Sequence, residues 1–312
     1  MKRFILFYLI FSGLFAAAAD KEHATVVAET PLFVSPGANS QKIISVERGR
    51  DLTILERTKA DSQDWAKVFV AAGKGDSQRE VTGWLFAKTV VAASTPNGDQ
   101  IIYGEAVDSE NQAEQRGGRK GAAMDAMRLY QRTYEMFPNS QLSGEALWRA
   151  ADIRWQLEKA DILRRPSSRE MDPDARPAMD DQWLKQVIAK YPGTRWADLA
   201  AYDMIDNKVC GDWKGLAQCP EKESALFAQY AQEHPHSPKA AEALYNAAWR
   251  QAALADIYRI NNEIPKSTEA TNKSISLAQQ IMNQFTDVGW KTRALNLTYK
   301  MQHNLHVYGN AE

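Results

Sequence analysis

Histidine and cysteine have the widest chemical reach, and this chain of 312 residues has five of the first and two of the second. His234 and His236 stand one residue apart, just before an alanine-rich run, and His303 and His306 stand at helical spacing. A metal site needs four ligands, or three and an open position. The pair at His303 and His306 has no carboxylate or third ligand within reach in sequence. Hydrolysis would need a Cys–His or Ser–His set, metal ligands, or two buried carboxylates in a shaped cleft. None of the histidines, His23 included, is set beside a nucleophile or a ligand group. No cofactor motif is present.

Cys210 and Cys219 bracket the segment CGDWKGLAQC, and their role depends on the compartment. The N-terminus MKRFILFYLIFSGLFAAAAD runs from basic Lys2 and Arg3, through an apolar stretch, to four alanines. That order predicts a signal peptide over residues 1–19, cleaved after Ala19, since Ala17 and Ala19 give the A-x-A pattern. A membrane anchor is the rival reading, but the apolar run falls short of the ~20 residues that span a bilayer. No cysteine follows the run, so lipoprotein-type attachment is not available. The expectation is an exported protein, periplasmic or secreted, without a transmembrane anchor after cleavage. In an oxidising compartment the isolated cysteine pair is most simply a disulfide. Closing that loop would stabilise by roughly 2–3 kcal/mol. A zinc site or a catalytic cysteine is the alternative, and each needs further ligands or a base that the sequence does not set nearby.

These residues must be positioned by the elements around them, and composition bounds what those are. With 44% hydrophobic and 25% charged residues the chain reads as globular, and its length predicts two domains. A formal charge of -1 offers no bulk electrostatic case for nucleic acid or an anionic membrane. The chain changes character near Ser94. Residues 24–93 are short runs rich in Val, Ile, Thr and Phe, separated by turn signals such as SPGANS and ADSQD, as in a small all-β barrel. Residues 94–121 form a polar connector with a short helix expected at Glu105 to Gln115. Beyond it the periodicity is helical to the end.

Ile43 and Ile44 before Gly49, the run Leu52 to Leu55, then Trp65, Lys67 and Val68, then Gly83 and Trp84 follow one pattern. With these residues the segment resembles a bacterial SH3-like domain. The resemblance implies a barrel of five to seven strands and a binding role, towards peptidoglycan or peptide, without catalysis. Phe33, Trp65 and Phe86 are its candidate aromatic binding face, and Trp84 reads as a core residue.

The helical part repeats. Pro138, Pro192 and Pro235, with Thr286 in a fourth copy, each follow a ring: Phe137, Tyr191, His234 and Phe285. After each corner come Ser140, Thr194 and Ser237, with Val288 in the fourth copy, and then Ala146, Ala200, Ala243 and Ala294. Proline disfavours helix in the residue before it, so it ends an incoming helix. Ser or Thr then caps the outgoing one, and a recurring alanine lets the partner helix approach. His234 is therefore the ring before a corner and His236 a solvated turn residue. Four such hairpins resemble the tetratricopeptide-like solenoids of bacterial envelope proteins, over residues 122–309. They depart from the standard pattern in corner spacings well above ~34 residues and in lacking its tryptophan–leucine–glycine signature. The extra length sits in two insertions, RRPSSREMDPDARPAMDD and CGDWKGLAQCPEKE.

Trp148, Arg149 and Trp155 lie on one predicted helix, with Glu145 four residues before Arg149. They are a candidate recognition surface, or else tryptophans buried against the next hairpin with a weak surface ion pair. The function expected is a non-enzymatic adaptor or scaffold of the cell envelope that binds protein partners. The alternative is an accessory or targeting protein of cell-wall hydrolysis.

Overall fold

The computed structural model describes residues 21–73 and 78–309; the signal-peptide expectation, residues 1–19, lies outside them. The chain divides into two units between Gly98 and Asp99.

The first unit is a seven-stranded antiparallel sheet in the order β3-β2-β6-β5-β4-β1-β7. Its strands are β1 (Glu22–Val26), β2 (Thr30–Phe33), β3 (Lys42–Val46), β4 (Asp51–Ala60), β5 (Gln63–Ala72), β6 (Arg79–Phe86) and β7 (Val90–Ala92). Alternation writes the core: Leu52 and Ile54 of β4 and Val68 and Val70 of β5 are buried together with Leu32, Val46 and Leu85. Asp61 and Ser62 both take positive φ, the two-residue turn that matches strand twist, so β4 and β5 close into a hairpin. Gly83 is required where β6 passes β2, because a Cβ there would lie 2.7 Å from Leu32 Cγ and 2.8 Å from the Phe33 carbonyl oxygen. Among the described residues no ladder joins β3 to β7. The sheet is therefore open, not the closed barrel expected. β2 is short, is irregular between Leu32 and Phe33, and meets β6 at Phe33 opposite Trp84.

The second unit is helical: α1 (Gly98–Glu114), α2 (Ala122–Met136), α3 (Ser143–Ile162), α4 (Gln182–Lys190), α5 (Arg195–Asp203), α6 (Gln218–Glu233), α7 (Ala240–Ile260), α8 (Ile264–Gln284) and α9 (Val288–Gln302). α1 takes up most of the stretch read as a polar connector. Ile102, Ala106 and Ser109 recur on one buried side of it, a periodicity hidden among polar neighbours.

The repeat frame maps onto real corners. Phe137, Tyr191, His234 and Phe285 are the residues that end α2, α4, α6 and α8. Ala146, Ala200, Ala243 and Ala294 are all fully buried. Capping is less uniform than the frame suggests. Thr194 accepts from the Ala197 N–H and caps α5, whereas Ser140 and Ser237 accept from Leu142 and Lys239 in the turn before their helices. In the fourth copy the cap is Asp287, accepting from the Trp290 N–H at 2.9 Å, and not the neighbouring Val288.

Ala243 sits in the core shared by α6 to α9, among Phe227, Tyr230, Leu277 and Ile281. Replacing it by phenylalanine is expected to cost about 1–3 kcal/mol by overpacking. Replacing exposed His236 by alanine should stay within ~0.5 kcal/mol. Urea melts of both variants test the frame, and a larger loss at His236 would contradict it.

Helix partners also cross between hairpins. α3 packs on α5 and α7 on α9, while Tyr202 of α5 bonds Glu242 and Asn246 of α7. Arg149 of α3 bonds Glu110 of α1. The odd-numbered helices thus form one continuous row.

Candidate functional site

The aromatic residues expected to face a ligand on the sheet unit form a cluster of their own. Phe33 and Trp65 are buried with Trp84, and Phe86 is half-buried beside them. Phe33 meets Trp65 edge-on at 5.4 Å between ring centroids, Phe86 lies 4.3 Å from Trp65, and the Trp65 indole donates to the Ala60 carbonyl at 3.1 Å. The edge of Phe86, with Lys88 over its ring, is what this cluster leaves to solvent. A ligand would meet that edge and not the ring face of Trp65.

On the helical unit the chemistry gathers along the odd-numbered row. Trp148 of α3 stacks on Trp196 of α5 at 5.4 Å, with Arg149 lying over one ring and Arg195 over the other. Such pairs add cation–π attraction to the stack. Arg149 bonds Glu110 at 3.0 Å and has Glu145 at 3.6 Å, so the ion pair read from the sequence is the longer of two. Trp155 is fully buried and donates its N–H to Asp206 at 3.2 Å. It is a core residue, and of the three residues read on this helix only Trp148 and Arg149 reach the surface.

Next to the stack lies a group that sequence reasoning missed. Asp152 of α3, Asp203 at the end of α5 and Asp206 in the following 3-10 turn lie close enough to interact, with Lys239, the residue before α7, among them. Burial first, then the carboxylates of Asp152 and Asp206, push Asp203 up to about 8, against the pull of Lys239. Burial also raises Asp152. Asp206 is held by Lys159 at 2.7 Å. The Trp148 N–H and Asp203 Oδ2 are both buried, and the indole pulls against the rise of Asp203 from just outside full hydrogen-bond geometry. Asp203 and Asp206 are near neighbours in sequence, but Asp152 comes from another helix, so no single spacing signals the three. Their one legible trait is a place on successive predicted helices.

The two insertions meet. Gly211 and Asp212 donate their N–H groups to the carbonyls of Glu170 and Arg169, and a Cβ on Gly211 would fall 2.5 Å from the Ser168 carbonyl oxygen. Cys210 and Cys219 are disulfide-bonded, with Cα atoms 6.0 Å apart. Buried Glu223 organises this loop: it accepts from the Cys210 N–H, the Trp213 indole and Arg250. The C-terminal segment joins them, since Tyr308 packs on Trp213 and buried Asp256 accepts from the Val307 and Tyr308 N–H groups.

Four of the five histidines have structural partners, His23 among them with Asp51 at 2.8 Å. His234 bonds Asp198 at 2.8 Å and His306 bonds Asp256 at 3.2 Å. His303 lies against Tyr299. Among the described residues no group of three or more His, Cys, Asp or Glu is arranged to hold a metal ion, and no helix is long and apolar enough to cross a membrane. No family model and no curated protein matches the sequence.

Proposed function

We propose that this protein is a non-enzymatic adaptor of the cell envelope, whose helical unit is a tetratricopeptide-like scaffold that binds a protein partner along the odd-numbered helices. The observation that carries the reading is the Trp148–Trp196 stack clamped between Arg149 and Arg195. Tryptophan and arginine are the residue types in which binding energy concentrates at protein interfaces. Further along the row, Tyr202, Glu242 and Asn246 are already linked by hydrogen bonds, so a partner would meet a preordered surface.

The commitments of the reactive residue types support a binding role over catalysis. Both cysteines are bonded to each other, and His234 and His306 to aspartates. Burial raises both Asp203 and Asp152, so they are not split into an acid and a base, and Asp203 Oδ2 is buried away from solvent. The sheet unit is read as an SH3-like module that takes peptidoglycan or peptide at the edge of Phe86, and the whole as periplasmic or secreted.

Arg195 is exposed and makes its ring contact at 4.2 Å, which allows a charge reversal without disturbing the core. In affinity capture from envelope extract, Arg195→Glu should reduce partner retention about tenfold or more. Lys59→Glu on the sheet unit should leave it unchanged. A partner retained equally by both variants would move the interface elsewhere.

A further inference from the structure

We propose that copies of this chain associate head to tail, the outer face of α9 in one copy seating on the outer face of α1 in the next. The inference stands apart from the partner reading above. α1 and α9 are the two ends of the odd-numbered row, and among the described residues both leave a face unpartnered. On α9, Val288, Leu295 and Tyr299 are 76%, 60% and 55% exposed. Their spacing puts them on one stripe, with Thr292 between, opposite the buried Ala294, Leu297 and Met301. A helical repeat array keeps its terminal faces polar to stay soluble. This end does not.

Charge selects the occupant. α9 carries Lys291, Arg293 and Lys300 and no acidic residue, and among the described residues none of the three has an acidic partner. α1 is the reverse: Asp99, Glu105, Asp108, Glu110 and Glu114, and no basic residue. Asp99 and Glu110 are turned inward to Ser140 and Arg149. Asp108 and Glu114 are exposed, and Ile101, 42% exposed, lies two turns from Asp108 on the same stripe. Between them Gly104 has nothing within 4 Å of where a Cβ would stand, leaving a shallow seat for a large side chain.

Pairing two α9 faces would set bases against bases, and pairing two α1 faces acids against acids. Only α9 on α1 joins apolar stripe to apolar stripe with opposite charges flanking both. Such a contact is heterologous, so it leaves a free α1 face and a free α9 face at the ends of every assembly and grows with concentration.

The test is sedimentation velocity of the purified protein over a wide concentration range. The average mass should rise with concentration at low salt, and the affinity should fall about tenfold or more near 1 M salt, where the screening length is ~3 Å. Lys291→Glu with Lys300→Glu, or Asp108→Lys with Glu114→Lys, should each abolish self-association while the helical circular dichroism is kept. Mixed, the two double variants should assemble again, because the intact α1 face of the first meets the intact α9 face of the second and the two reversed faces are also opposite in charge. If a reversed variant fails to fold, Leu295→Ser reads the same face and should also weaken assembly about tenfold. A wild-type protein that stays monomeric throughout overturns the proposal. So does a wild type that assembles while the mixed variants remain monomers.

Discussion

Glu223→Ala is expected to lower the stability of the helical unit by about 3–5 kcal/mol, the loss typical of removing one partner from a buried ion pair. Glu223 is 1% exposed and its two oxygens serve three donors: the Cys210 N–H at 2.9 Å, the Trp213 indole at 3.0 Å and the Arg250 Nε at 2.7 Å. Removing it leaves a guanidinium with most of its surface out of water, beside Phe227 and Trp213. Two neutral donors lose their acceptor as well. Glu223→Leu combined with Arg250→Met should recover part of the loss, because no charge is then stranded. About 1–3 kcal/mol should remain for each donor still buried unpaired. Urea denaturation followed by the helical signal measures all three proteins. A Glu223→Ala variant as stable as the parent would show that the disulfide loop does not rest on this residue.

Asp203→Asn should do the opposite and stabilise. The folded protein holds the Asp203 proton up to about pH 8, whereas an unfolded aspartate releases it near pH ~3.9. Between those values the folded state binds more protons than the unfolded one. Stability therefore falls as pH rises through that window and levels off above it. Asparagine carries no such proton and removes the slope. The gain should be small near pH 4 and reach about 1–3 kcal/mol by pH 8, discounted from the full linkage because water reaches part of the side chain. Thermal melts across pH 4 to 9 on parent and variant check both sign and window. A gain that is independent of pH would mean that Asp152, Asp206 and Lys239 do not act on Asp203 as the geometry indicates.

Local chemistry made much of this architecture readable from the chain. A proline after a ring marks a helix end wherever it occurs, because the steric clash is between neighbours. Three corners were legible for that reason, and the fourth, with Thr286 after its ring, by its likeness to them; the alanines that follow and the pairing of two cysteines nine residues apart were also legible. Alternating apolar residues likewise announced the strands of the sheet unit.

Faces and long-range partners were not local. Trp65 and Trp155 looked like binding residues because indole rings suit both cores and interfaces; only the register of β5 with β6 and the packing of α3 buried them. Barrel closure depends on whether the two edge strands meet, which no strand encodes alone. α1 hid its buried stripe among polar residues. The stack of Trp148 on Trp196, the raised proton affinity of Asp203 and the clasp on Glu223 each join residues from different elements. Their geometry exists only after those elements pack. A carboxylate read in sequence has an ordinary affinity for its proton, and burial beside two others is what changes it. The sequence by itself determined the elements and where the chain turns; the tertiary structure decided which side chains meet, which are dry, and which face solvent.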